Sequence, residues 1–274
     1  MSTENGYERP AVAGSGTIAT GFAAAASILG EVKLLARSDA SAWRAEEKAQ
    51  KAATKLEGGD PSHIKVTTEL SELGDCDLIV EAIVEDLEHK SALLKEVAEG
   101  VPGADLATTT SSLQIGEIAL ESGLQSRLYG LHVFNPVPRM ELIELCLPPG
   151  LDDGIAERAR AFCEALGKTG VEVADKAGFV VNRLLFPFLF DAVRLMEEHD
   201  LTPADVDTCM NLGAGHPMGP LRLIDFVGLD VSAAIGESLY AETGNDEHRA
   251  PKKLQELIDD GRLGRKAGKG FYDY

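Results

Sequence analysis

The stretch Pro10–Ala19 limits the fold more than any other part of the chain. A short apolar run, Pro10–Ala13, stops at Gly14; Ser15, Gly16 and Thr17 come next, and Ile18–Leu29 is alanine-rich and helical in length. A strand that ends in Gly-x-Gly-x-x-Ala and opens a helix is the turn of a parallel α/β unit that holds a dinucleotide. Gly14 permits the tight turn. Gly16 lets the backbone approach a pyrophosphate, which would sit on the helix N-terminus at Thr17 and Ile18. A lone glycine pattern is a weak signal whose bland reading is a structural turn, but the strand–turn–helix context favours nucleotide binding.

The same alternation of strand and helix then repeats. Val32–Ala36, Ile64–Thr68, Asp77–Ile83 and Leu106–Thr109 read as strands, with Ala42–Leu56 and Leu87–Val101 as helices among them. Leu128–Phe134, Glu141–Leu147 and Gly170–Val173 continue the strands, and Asp152–Leu166 is a helix. This order predicts a Rossmann-like, doubly wound parallel sheet with helices on both faces. After Lys176 the texture changes to helices only: Phe179–Glu198, Pro203–Asn211, Pro220–Phe226, Val231–Glu242 and Pro251–Asp259. The expected division is therefore residues 1–176, a dinucleotide-binding domain, and 177–274, a smaller all-helical domain. The 274 residues suffice for two such cores.

A net charge of −19 repels nucleic acid, so such a partner is not expected. The same field repels phosphate-bearing ligands, which must then be met by helix N-termini and a few placed cations. No apolar stretch reaches the roughly 20 residues that span a bilayer, and the polar start, Met1–Pro10, lacks a signal-peptide pattern. Cys76, Cys146, Cys163 and Cys209 form no C-x-x-C pair, which suits reduced thiols and a cytoplasmic location. No spacing suggests a metal site.

The end of the second strand chooses the cofactor. An acid there would bind the ribose hydroxyls of NAD, but the chain has Ala36, Arg37 and Ser38. A guanidinium and a hydroxyl suit an ionised 2′-phosphate, and no carboxylate at position 36 repels it. NADP is the expected cofactor. NAD is the alternative, kept open by Asp39 nearby and by the bland reading of Arg37 as solvated and Ser38 as a helix cap.

Three further segments carry the chemistry. Thr109–Leu113 ends a strand. Gly130–Pro138 leads through Leu142 and Ile143 to Glu144. Gly178–Arg183 opens the helical region. Together with His216–Pro220, Asp225–Asp230 and Gly264–Tyr272, these segments resemble the L-3-hydroxyacyl-CoA dehydrogenase family over almost the whole chain. The resemblance implies hydride transfer between a nicotinamide and a 3-hydroxyacyl or 3-oxoacyl group carried on coenzyme A. It makes His132 the general acid/base, with Glu144 holding the imidazole in one tautomer, and gives Ser111 and Asn182 the reacting oxygen or thioester carbonyl. The chemistry is consistent, because alcohol oxidation leaves a proton that histidine, titrating nearest neutrality, is best suited to take. Alone, His132 reads equally as a core histidine; a carboxylate at Glu144 among apolar neighbours needs a partner, which favours the pair.

By the same resemblance Glu85, Lys90 and Asn135 lie near the cofactor, and the helical domain makes a homodimer, with Leu184–Phe190 apolar enough to join the interface. Relatives carry a long helical hairpin that contacts coenzyme A, whereas residues 38–63 have room for one helix and a short return. Lys48, Lys51 and Lys55, on one helix face, either meet coenzyme A phosphates or are simply solvated. Two other functions stand beside the first: a dehydrogenase of a free hydroxy acid such as a sugar acid, and a non-catalytic NADP-binding protein. A 6-phosphogluconate-like enzyme is disfavoured, since Lys176 lies too far before Asn182 for that family's spacing.

Overall fold

A computed structural model describes residues 6–274; the polar start read across residues 1–10 lies partly outside them. The chain divides into a compact unit that ends at Lys176 and a second that runs from Ala177 to Tyr274.

The first unit is one eight-stranded sheet. In chain order its elements are β1 (Pro10–Ala13), α1 (Thr17–Ala26), β2 (Val32–Leu35), α2 (Asp39–Ala53), β3 (Ile64–Thr67), β4 (Leu78–Glu81), α3 (Leu87–Gly100), β5 (Asp105–Thr108), α4 (Ile115–Ser122), β6 (Leu128–Val133), β7 (Leu142–Cys146), α5 (Ile155–Ala165) and β8 (Thr169–Glu172). The spatial order is β3-β2-β1-β4-β5-β6-β7-β8. Every residue of β1, β4 and β6 is buried, as expected of strands covered on both faces. Half of helix α1 is alanine, and its buried Ala19 and Ala23–Ala26 let α2 approach through Ala45, Ala49 and Ala53.

The sheet departs from the expected all-parallel arrangement at one place: β6 and β7 are antiparallel. Residues 134–141 between them are too few for the crossover of about a dozen residues that a parallel neighbour requires. Helix α4 has no counterpart among the elements expected from the sequence. Its N-cap side chain, Gln114, makes no capping bond; Asp175 instead accepts from the Ile115 and Gly116 N–H groups, both at 2.8 Å. A carboxylate far along the chain thus satisfies orphan donors at this helix start.

The second unit consists of α6 (Val181–Glu198), α7 (Pro203–Ala214), α8 (Pro220–Val227), α9 (Leu229–Thr243) and α10 (Lys252–Asp259). Gly178 (φ +74) and Phe179 (φ +44) turn the chain into α6. Phe186, Leu189, Phe190, Leu221, Ile224 and Leu239 form the heart of its core. The stretch Leu184–Phe190, expected at an interface, is largely spent inward; Leu184 is its exposed member, at 70 %. The last residues are held by two buried carboxylates. Asp225 accepts from the N–H groups of Phe271 (2.8 Å) and Tyr272 (2.9 Å) and from the Tyr274 hydroxyl (3.1 Å). Asp207 accepts from the N–H groups of Leu221 and Arg222 and from the Tyr272 hydroxyl at 2.6 Å. A Cβ on Gly270 would fall on the Asp225 carboxylate, so this turn needs glycine.

Candidate active site

The strand order reverses between β1 and β4, and in a doubly wound sheet ligands bind outside the carboxyl ends of the strands at such a point. A cleft of about 1220 Å³ lies there. It is lined by residues just after β1 (Gly14–Ile18), β2 (Ala36, Arg37), β3 (Thr68–Ser71), β4 (Ala82–Glu85) and β5 (Thr109, Ser111), and by His132 and Val133 at the end of β6. Gly14 has φ +143, and a Cβ there would strike the Ala82 carbonyl. At Gly16 a Cβ would meet nothing within 4 Å, so this backbone borders open space. No side chain caps the α1 N-terminus behind it. A glycine cradle, an uncapped helix start and a cleft of this size fit a dinucleotide pyrophosphate.

At the end of β2, Ala36 is buried and Arg37 is exposed to the cleft. Ser38 has another job: it is the N-cap of α2, where its hydroxyl accepts from the Ser41 N–H in a reciprocal capping box, and it is not among the cleft residues. Two cations of α2, Arg44 and Lys48, line the same cleft as Arg37. None of the three makes an ion pair among the described residues. Sequence reasoning missed Arg44, although it stands four residues before Lys48 on the same helix face. Lys51 and Lys55 are exposed and outside the cleft, and Lys55 lies beyond the end of α2. From α2 the chain returns to β3 through the single 3-10 turn Pro61–His63.

The antiparallel pairing of β6 and β7 sets His132 directly opposite Glu144. Both are buried, and His132 Nδ1 lies 2.7 Å from Glu144 Oε2. The Phe134 ring packs edge-on against the imidazole, with centroids 4.6 Å apart. A polar and an aromatic contact thus restrain the ring where it lines the cleft.

Beneath the cleft lies a buried charge network. Lys90, 1 % exposed, donates to both Glu81 oxygens at 2.9 and 3.0 Å, and Glu85 lies 3.3 Å away. Glu81 also accepts from the Thr108 hydroxyl and the Ile83 N–H, both at 2.6 Å. Glu85 accepts from the Thr110 hydroxyl and from the backbone N–H groups of Ser111 and Ser112. Burial opposes its ionisation, but Lys90 and these hydrogen bonds outweigh burial and hold its pKa down at about 2. Glu85 and Lys90 thus border the cleft, yet the Lys90 ammonium is committed to carboxylates. Asn135 lies outside the cleft lining, at the peptide before Pro136. Asn182 belongs to the second unit, buried in the first turn of α6.

Comparison with known proteins gives the same picture from sequence and from fold. Residues 10–176 match the model of the 3-hydroxyacyl-CoA dehydrogenase NAD binding domain, and residues 178–274 that of the 3-hydroxyacyl-CoA dehydrogenase C-terminal domain. The chain is 42 % identical to a probable 3-hydroxybutyryl-CoA dehydrogenase of Deinococcus radiodurans, over 77 % of this chain and 76 % of that one. It is 38 % identical to the human mitochondrial hydroxyacyl-coenzyme A dehydrogenase, over 96 % of this chain and 90 % of that one. The crystal structure of Mycobacterium tuberculosis FadB2 superposes with a TM-score of 0.93 at 35 % identity, covering 98 % of this chain and 99 % of that one.

Proposed function

The chain belongs to the 3-hydroxyacyl-CoA dehydrogenase family and is an oxidoreductase with a dinucleotide-binding domain, and from that premise we propose how its own residues divide the work. The carrying observation is the His132–Glu144 pair, whose histidine lines the same cleft as the glycine turn. Nδ1–H donates to Glu144, so Nε2 is the nitrogen that exchanges the substrate's proton. Glu144 steadies the imidazolium once it forms. A bound nicotinamide would supply the hydride donor or acceptor. Gly14, Gly16, Thr17 and Ile18 would hold its pyrophosphate. Ser111 orients the reacting oxygen, and Asn182 keeps the substrate-binding role that its motif carries.

The cofactor is NADP. The buried Ala36 removes the ribose-binding acid, and Arg37, Arg44 and Lys48 supply cations to a 2′-phosphate in a chain of net charge −19. Lys48 thereby moves from the coenzyme A phosphates to the cofactor, and Ser38 gives way to Arg44. The acyl-CoA substrate follows from the family. The short return after α2 favours a second reading, oxidation of a free hydroxy acid. A homodimer would form through the second unit, where Val180, Leu184, Leu212 and Val231 are exposed, and the unpaired thiols suit the cytoplasm.

The test follows absorbance at 340 nm with acetoacetyl-CoA or acetoacetate against NADPH or NADH. Turnover of acetoacetyl-CoA with at least about a tenfold lower Kd for NADPH is expected, one charge-assisted hydrogen bond sufficing for that ratio. Ala36→Asp with Arg37→Leu should reverse the preference. Equal Kd values in the unaltered protein would return the three cations to the solvated surface, and turnover of acetoacetate alone would favour the free-acid reading.

A further inference from the structure

Helix α2 keeps its charges of opposite sign apart. Arg44, Lys48, Lys51 and Lys55 follow one another at steps of four, three and four residues, so they share one face of the helix and of the turn that continues it. All four are exposed, and none makes an ion pair among the described residues. Glu46 serves another face: it accepts from Gln50 at 3.2 Å and lines, with Gln50, a separate groove beside β3. Glu47 stands four residues before Lys51, yet it too makes no ion pair among the described residues. Like charges at these spacings weaken a helix, and the helix dipole offsets that cost only in the last turn, where Lys51 stands. Helix stability therefore does not account for the stripe. Its direction does. Arg44 and Lys48 line the cleft, whereas Lys51 and Lys55 carry the same face out of it. From Arg44 to Lys51 the helix rises about 10 Å. A phosphate-bearing ligand that approaches a chain of net charge −19 is repelled at long range, and this stripe is a local field of the opposite sign.

We propose that Lys51 and Lys55 are steering charges: with Arg44 and Lys48 they form a positive path along α2 that speeds entry of the phosphate-bearing cofactor into the cleft, and they do not touch the cofactor once it is bound. The inference rests on the dinucleotide reading of the cleft and not on the choice of NADP over NAD. It gives the two lysines outside the cleft a role that needs no contact, because an unpaired charge acts over about a Debye length.

Stopped-flow binding of the tighter-binding of NADPH and NADH, followed by nicotinamide fluorescence, tests it at about 10 mM ionic strength, where the Debye length is about 30 Å. In a Lys51→Gln, Lys55→Gln double variant the association rate should fall about threefold to tenfold, with the dissociation rate within about twofold of the parent. In about 0.5 M NaCl the two proteins should differ by less than about twofold, since salt screens the field. Arg9→Gln with Lys95→Gln removes the same charge from exposed positions outside the cleft lining and should leave association within about twofold of the parent. An equal fall in that control would assign the effect to net charge and overturn the path. An unchanged association rate in the lysine variant would overturn it too, as would a loss carried by the dissociation rate, which would make these lysines direct contacts. A raised KM for acetoacetyl-CoA with cofactor association unchanged would give them to the acyl carrier instead. If neither NADPH nor NADH binds the parent, the dinucleotide reading fails, and the steering role with it.

Discussion

In the first unit the buried carboxylates Glu81 and Glu144 face ionisable side chains, Lys90 and His132. In the second, the equally buried Asp207 and Asp225 face backbone N–H groups and tyrosine hydroxyls. Burial makes an ionised group costly in both places, and each offsets the cost with several hydrogen bonds. The partners separate the two kinds. A carboxylate beside a histidine or lysine at a strand end can tune charge where a ligand reacts. One that accepts from its own chain's amides holds a segment in place, here the turn at Gly270–Tyr274.

The sharpest way to break this division is His132→Asn. Turnover should fall about 10²–10⁴-fold, with thermal stability and cofactor Kd little changed. Near-normal turnover in the folded variant would reduce His132 to a core histidine. Lys90→Met acts on the same unit but on its fold. It leaves Glu81 and Glu85 facing each other without their cation, and chemical denaturation should show a loss of about 3–5 kcal/mol. A stability within about 1 kcal/mol of the parent would mean that the network relaxes to solvent.

Asp225→Ala addresses the other side of the comparison. It leaves two backbone N–H groups and a tyrosine hydroxyl without their acceptor, for a loss of about 2–5 kcal/mol in denaturant unfolding. Activity of the folded fraction should be retained. Lost turnover at unchanged stability would collapse the distinction between the two units.

The smallest expected effect is that of pH, and it has opposite signs in the two regions. Glu85 is held at about 2, below its ordinary 4.5, so its ionised form stabilises the fold above pH 4.5, and this contribution is lost as pH falls toward 2. The side chain is 34 % exposed, so solvent screening keeps the contribution modest. Burial pushes Asp225 up despite its hydrogen bonds, so acid relieves its desolvation instead. The melting temperatures of the parent and Glu85→Gln should therefore converge below pH 4.5, and a constant difference down to pH 2 would contradict the sign assigned to Glu85.

Much of the fold is legible in the sequence because its signals are local. The runs Pro10–Ala13, Ile64–Thr68 and Leu106–Thr109 are short and β-like, with turns between them, and the alanine-rich stretch after Gly16 has helical length. Helix α4 is not legible, since its start is capped by Asp175, about sixty residues along the chain. Ser38 suits a phosphate by its place after β2, although its three-residue spacing to Ser41 also reads as a capping box, which is the role it has in the structure. Arg44 gives no signal of its own, because a helix face points at a cleft only after α2 has packed on the sheet.

Local sequence is enough for the alternation of strands and helices, for the glycine turn and for the residue types available for proton transfer. Each follows from neighbours within about ten positions, through backbone sterics and the periodicity of side chains. Which of those side chains meet is decided by the tertiary structure. Glu144 comes twelve residues after His132, and no periodicity pairs them; the short 134–141 connection reverses the strand, and the antiparallel register then puts one opposite the other. The Lys90 network likewise exists only because α3 packs beside β4, where a buried ammonium has to find carboxylates.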